Sequence, residues 1–382
     1  MAELWSLAAT GEAVETLEWR TDVLRSREGE QRVALRRWPR ETLALRHRLD
    51  NMALGRAAEV ARAGFGVPMI LPLWHMAQTP AAAVARGDTS LPLDTALADF
   101  RAGGGVAVAV DGGPAALAEI ASVDPGALIL TAPLDAQLPA GPVAPGRVAV
   151  MPAREAVLAA PMDVARRRAS DTMASTRWIL RGTADPAPWD GPMLAQMPIV
   201  DAPSVMRRPL ASSLSRAVEY VDNGAGAVAV EPVRDVFERG ETITLRAQGA
   251  AERWALRRRL WAFRGRQARF WLPSWGREVR SIADISLFSE LLRIQPVGPL
   301  QAMIGRGLAL EVPGGPVFRA IVDAFVGAQG EDTLRMDERI GGFPAGLVAH
   351  LMVRSRSDAD RFEIRHGRVA SEVSFPVVEV AQ

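Results

Sequence analysis

The sequence predicts a mainly β protein with a few short helices, a β-rich α+β chain built by tandem duplication. The first observation is a stretch that occurs twice. Glu41-Thr42-Leu43-Ala44-Leu45-Arg46 is followed by Pro72-Leu73-Trp74, and Glu241-Thr242-Ile243-Thr244-Leu245-Arg246 by Pro273-Ser274-Trp275. Thr42 and Thr242 are 200 residues apart, and Trp74 and Trp275 are 201 apart, so a period near 200 spans both signals. The second is a succession of short alternating apolar runs separated by turn signals, the pattern of strands in small barrels or sandwiches. The third is composition: 33 Gly and 27 Pro supply the turns that many short strands need.

A chain of 382 residues has room for two or more cores, and 48% apolar with 23% charged residues is a globular balance. A net charge of +1 provides no global field toward nucleic acid or anionic membrane. With no cysteine, disulfides, thiolate metal sites and Cys nucleophiles are excluded. All basic residues are Arg, as codon bias in a GC-rich genome produces. The start, Met1-Ala2-Glu3-Leu4-Trp5, is acidic and lacks the basic segment and apolar core of a signal peptide, so synthesis in a bacterial cytoplasm without a cleaved signal is expected. No apolar run is long enough to span a bilayer.

In order along the chain, residues 14–24 alternate as a strand, Arg27 to Glu30 turn, and Gln31 to Arg36 form a second strand. Trp38-Pro39-Arg40 is expected to break it before a third strand over Thr42–Leu49, giving a meander with one buried face. Asp50-Asn51 offers an N-cap, Met52 to Ala63 read as a helix, and Gly64 stops it. Phe65 to Trp74 resembles an edge strand or extended arm. Residues 77–90 read as a loop. Strands are expected at Val106–Val110, Leu117–Val123, Ala127–Leu130 and Val148–Met151, with turns at Asp111-Gly112-Gly113-Pro114, Asp124-Pro125-Gly126 and Pro139-Ala140-Gly141-Pro142. Residues 153–181 carry a strand back to the first module.

Pro186, Pro188, Pro192, Pro198, Pro203 and Pro209 mark 182–213 as a linker between the copies. The second copy repeats the plan, with strands near Ala217–Asp222, Ala227–Phe237 and Thr242–Ala247, a helix over Glu252–Phe263, and Phe270 to Trp275 matching the first Pro-x-Trp segment. Residues 279–382 again read as short strands, with turns at 313–316 and 341–344.

The usual catalytic signatures are missing. The four histidines, His47, His75, His350 and His366, have no zinc-motif spacing, and no Gly-x-Ser-x-Gly or Walker A string occurs. Gly224-Ala225-Gly226-Ala227-Val228-Ala229 resembles a dinucleotide fingerprint, but a strand-like segment follows it where a helix is required, so it reads as a turn. The expectation is therefore no catalytic residue, no cofactor and no metal. Arg25 to Arg48 contains eight arginines, and Arg253 to Arg269 contains seven interleaved with Trp254, Trp261 and Phe263. Such stretches could bind single-stranded nucleic acid or form subunit interfaces. Their equivalent places in the repeat favour interfaces over sequence-specific nucleic-acid recognition.

Trp19 to Leu24, Glu28-Gly29-Glu30-Gln31-Arg32, and Trp38-Pro39-Arg40 together resemble a string found in distal tail (tail-tip) proteins of long-tailed bacteriophages and gene transfer agents. Gly265-Arg266-Gln267-Ala268-Arg269-Phe270-Trp271-Leu272-Pro273-Ser274-Trp275 is similar to a later signature of the same family. The first copy has Gly66-Val67-Pro68 where Gly-x-Gln is expected, and the second lacks Gly-x-Glu-x-Arg, so each copy keeps a different half. The resemblance implies a non-enzymatic virion component at the tail tip, a ring joining tail tube to tip. Its partners would be tube, hub and fibre proteins. Two ring-forming modules per chain would close as a trimer with pseudo-six-fold symmetry, or as a hexamer. The domains expected are a first ring module at 1–78, a β-domain at 79–181, the linker at 182–213, a second ring module at 214–278 and a second β-domain at 279–382. Trp19, Arg32, Arg40, Trp74, Trp254, Arg266, Trp271 and Trp275 are the candidate interface residues. The alternative is a carbohydrate- or receptor-binding tail protein, which would need Trp271 and Trp275 exposed. A tail-associated peptidoglycan hydrolase would need paired carboxylates in a cleft.

Overall fold

The computed structural model describes the chain except residues 1–2, 11, 64–65, 112, 140–147, 169–170, 183–188, 206–210 and 381–382. The fold is mainly β, with 52% of residues in strands and 10% in helix. The first half contains β1 (Ala13–Arg25), β2 (Glu30–Leu49), α1 (Asn51–Ala63), β3 (Met69–Pro72), β4 (Ser90–Pro92), β5 (Gly105–Val110), β6 (Gly113–Asp124), β7 (Ala127–Leu130), β8 (Val148–Leu158), β9 (Asp163–Arg168) and β10 (Asp171–Leu180). The second contains β11 (Ser212–Val221), β12 (Ala229–Gln248), α2 (Gly249–Phe263), β13 (Phe270–Pro273), β14 (Leu291–Ile294), β15 (Gly307–Leu310), β16 (Val317–Val326), β17 (Asp332–Met336), β18 (Val348–Ser357), β19 (Arg361–His366) and β20 (Ala370–Glu379).

The pairings recur as well as the order. In the first half β1 pairs with β2, β2 with β10, and β10 with both β9 and β8; β8 takes β3 and β5, and β5, β6, β7 and β4 follow in turn, all antiparallel. In the second half each strand ten places later makes the corresponding pairing. Among the described residues one strand pairing joins the halves: β1 lies antiparallel on β19, from Ala13 opposite His366 to Glu18 opposite Arg361.

Four main cores result. Leu43, Leu45, Leu71 and Trp178 belong to the first, and Val106, Val108, Ile120 and Val150 to the second. Ile243, Leu245, Leu260, Phe270 and Phe375 belong to the third, and Leu292, Leu308, Ile321 and Leu334 to the fourth. Alternation explains the membership: β2 buries Leu43, Leu45, His47 and Leu49 on one face while Arg46 and Arg48 stay exposed. Trp178 of β10 sits in the first core, as a returning strand requires. Each small β-domain is therefore an insertion between β3 and β8, or β13 and β18, in its module.

The helices start as their sequences dictate. Asp50 accepts the Ala53 N–H at 2.7 Å, the expected cap of α1. Glu252 reaches back to the Gln248 N–H at 2.7 Å at the start of α2. Arg264 closes α2 in the left-handed region at φ 52°.

Three expectations change. Trp38-Pro39-Arg40 does not end a strand; β2 runs through it. Glu18 pairs with Arg40 and Arg20 with Arg36, so three residues of β2 face Trp19 alone. A bulge of this kind needs no N–H from Pro39. The Phe65–Trp74 segment is not an edge, because β3 is flanked by β8 and by a parallel pairing with Glu3–Leu4. The Pro-rich 182–213 segment is not a free linker: Leu194, Ile199 and Val200 are buried, and the Val200 N–H donates to Trp271 O at 2.9 Å. It repeats the N-terminal segment, where the Trp5 N–H donates to Ile70 O at 2.8 Å. Residues 77–89 are a loop, with Ser90 already in β4, and the loop folds onto the first β-domain with Val84 buried. The expected stop at Gly64, the turn residues Ala140-Gly141-Pro142, and Pro186, Pro188 and Pro209 lie outside the described residues.

Candidate functional site: the seam between the modules

The β1–β2 hairpin belongs to the first module by sequence and packs on the second in space. Leu17 and Trp19 join the core of Ile243, Leu260 and Phe375, and Trp19 meets Trp261 and Phe362 edge to face at 5.8 and 5.9 Å. The string around Thr21 and Glu30 and the string around Gly265 meet here. Asp360 accepts the Thr21 N–H and hydroxyl, both at 2.7 Å, and the Arg266 N–H at 3.1 Å. Gly265, at φ 61°, passes so close that a Cβ would stand 2.9 Å from Asp360 Cα, so any side chain would collide there. Glu30 takes a two-pronged contact from Arg356 Nε and Nη2 at 2.6 and 2.9 Å, with the guanidinium buried. Gln267 donates to Arg36 O at 3.2 Å.

At the centre of the seam lies a buried ion network. Arg257 of α2, 3% exposed, donates from Nε to Glu15 at 2.7 Å and from Nη2 to Glu41 at 3.1 Å, with Asp99 3.8 Å from Nη1. Arg154 Nη1 donates to Glu41 at 2.8 Å, and Asp99 also binds Arg154 and Arg101. Three carboxylates therefore face three guanidiniums drawn from both modules. Burial pushes the Glu15 carboxyl up, but the Arg257 charge and the His366 hydrogen bond outweigh it and hold it well below the usual range. Burial, with Glu15 and Asp99 adding like charge, pushes Glu41 up to about 7 despite Arg257. Glu41 Oε1 has no hydrogen-bond partner, which fits. Burial lowers Arg257, and its three carboxylates more than reverse this.

His75 and His366 stack beside Glu15, with ring centroids 4.4 Å apart. His366 Nε2 donates to Glu15 Oε2 at 3.2 Å while its Nδ1 faces Ser371 Oγ at 2.8 Å. The His75 side chain is enclosed, and neither ring nitrogen has a hydrogen-bond partner. Burial and the neighbouring His366 push it down to about 3, so the ring is neutral. No local spacing signals this group, because His75 and His366 come from different modules. His47 and His350 are packed and hydrogen-bonded, as expected of structural histidines.

The candidate interface residues separate. Trp19, Trp254 and Arg266 lie on the intramolecular seam. Arg32, with its side chain 13% exposed, pairs with Glu30 at 3.7 Å there. Trp271 is buried and donates to Leu194 O at 3.0 Å. Trp74 and Trp275 are half-buried, Trp275 against His350, and Arg40 is exposed. The same β-strand geometry leaves the second module's arm uncovered: β11 is exposed along almost its whole length, with Leu214 67% and Tyr220 69% exposed. Val228 just before β12, and Val230 and Val233 on it, are exposed too. Among the described residues β11 pairs only with β12, and β9 only with β10. Gly224, at φ 68°, lies in the turn between β11 and β12, so the dinucleotide-like string is a hairpin tip.

No helix of the described residues is long and apolar enough to cross a membrane. No family model matches the chain, and no curated protein matches it.

Proposed function

We propose that this chain is a non-enzymatic structural component of a phage or phage-like particle, a tail-tip ring protein derived by tandem duplication. Three copies would close a ring of six similar modules between tail tube and tip, with the tube, hub and fibre proteins as neighbours. One observation carries the reading. The first module's β1–β2 arm is docked on the second module of the same chain, with β1 added to the edge of β19. The second module's β11–β12 arm has the same pairing and, among the described residues, no module to lie on. A neighbouring copy offers the matching place, the outer edge of β9, the counterpart of β19. Repeating one head-to-tail contact generates a ring when the rotation closes, and exposed strand edges are otherwise a liability.

Burial of Trp271 removes one of the two sugar-stacking platforms that a carbohydrate-binding reading needs. The ring reading is tested with Leu214→Asp/Tyr220→Asp in particles from the source. Both side chains are exposed, so the variant should fold with an unchanged melting temperature and fail to enter particles. Incorporation at the wild-type level would overturn the reading. A paired test uses Val164→Pro and Ala165→Pro on β9. Adjacent N–H groups of a strand point to opposite sides, so one of the two removes only the outward donor and should block assembly without unfolding the chain.

A further inference from the structure

The geometry points to a divalent transition-metal site at the seam, held by Glu15, His75 and His366. The three donor atoms lie within 4.8 Å of one another. Glu15 Oε2 is 3.2 Å from His366 Nε2 and 3.7 Å from His75 Nε2. Neighbouring donors on a tetrahedral ion bonded at about 2.1 Å stand about 3.4 Å apart, close to the two Glu15 distances; the imidazoles, stacked with 27° between their planes, would have to turn out of the stack to aim both ring nitrogens at one ion.

Three features separate this group from an ordinary buried network. His75 is 3% exposed in its side chain and carries two unpartnered ring nitrogens, a state that costs free energy unless a ligand satisfies it. His366 already has the outer contact that metal-bound histidines use: as an ion takes Nε2, the ring proton sits on Nδ1 and donates to Ser371 Oγ. Glu15 commits Oε1 to Arg257 and leaves Oε2 for one-point ligation. The Arg257 charge is shared with Glu41 and Asp99 and does not fall on Glu15 alone. A cavity of about 260 Å³, lined by His75, Leu97, Arg253, Trp254 and His366, adjoins the group. It has room for a water-derived hydroxide or chloride as fourth ligand, and Arg253 favours an anion there. Two nitrogens and one carboxylate oxygen suit Zn²⁺ or Co²⁺ better than Ca²⁺ or Mg²⁺. Such an ion would join β1 and the segment after β3 in the first module to β19 in the second.

The full chain is freed of metal with a chelator, then titrated with Zn²⁺ by calorimetry and with Co²⁺ by visible absorption. One ion per chain and the intense visible bands of four-coordinate Co²⁺ are expected. His75→Ala and His366→Gln should each abolish stoichiometric binding. His366→Gln can still hydrogen-bond its neighbours, so a loss there with an unchanged far-ultraviolet circular dichroism spectrum separates ligation from folding. Ser371→Ala should weaken binding by about 10- to 100-fold. Absence of stoichiometric binding, or binding that survives His75→Ala, would overturn the site.

Discussion

Arg257 is the residue on which the join between modules depends most. Replacing it with Met keeps much of the stem volume and removes the charge. Glu15 would lose its 2.7 Å partner while fully enclosed, whereas Glu41 would keep Arg154 at 2.8 Å. Removing one side of a buried ion pair costs about 3–5 kcal/mol, because the remaining charge is left without compensation. Contacts of the guanidinium with the Trp254 and Trp261 rings, at 5.6 and 5.7 Å, add about 0.5–1 kcal/mol each. The variant should therefore lose about 4 kcal/mol or more in urea unfolding at neutral pH. The double variant Glu15→Gln/Arg257→Met should recover part of that loss, since no lone buried carboxylate remains. A loss below about 1 kcal/mol, or no recovery in the double variant, would refute the claim that these charges couple the modules.

Glu41 sets a pH dependence of its own. Its folded pKa of about 7 lies above the ordinary 4.5, so the folded state holds a proton that the unfolded chain releases. Its contribution is greatest below pH 4.5 and is lost as pH rises to about 7, a decline of about 3 kcal/mol. Glu15 acts in the opposite sense: its lowered pKa gives stability above the unfolded value that is lost as pH falls into the acid range. Glu41→Gln should flatten the decline between pH 5 and 7 in melting experiments; an unchanged slope would show that another group titrates. Trp19→Ala should cost about 3–5 kcal/mol, measured by denaturant unfolding, because the ring is 1% exposed and packed against Trp261 and Phe362.

Local patterning made the β-rich character, many of the strands and both helices legible, although 153–181, read as one returning strand, holds the end of β8 and all of β9 and β10. Ala127–Leu130 needs only alternation between turns, and α1 needs only Asp50 and an apolar run. What local pattern does not carry is which strand faces which. Pro39 reads as a break because Pro usually ends pairing, and only the register of β1 against β2 shows the bulge that accommodates it. The linker residues Ile199 and Val200 are apolar, but nothing local says that they lie along β13. The aromatic and arginine residues expected at subunit contacts were selected by type. The tertiary fold spends Trp19, Trp254 and Arg266 on a contact between modules, which has the same composition as an interface between chains. The cluster of Glu15, His75 and His366 draws His366 from hundreds of residues beyond the other two, so no spacing rule finds it.

The most direct measurement is a cryo-EM map of tails from particles of the source, refined at the tip with three-fold symmetry only. The account predicts a ring of three chains in which the β11–β12 arm of each lies on its neighbour, with β11 paired to β9. A ring in which β9 keeps a free edge and the arm stays in solvent would contradict it, as would particles whose tails lack this chain.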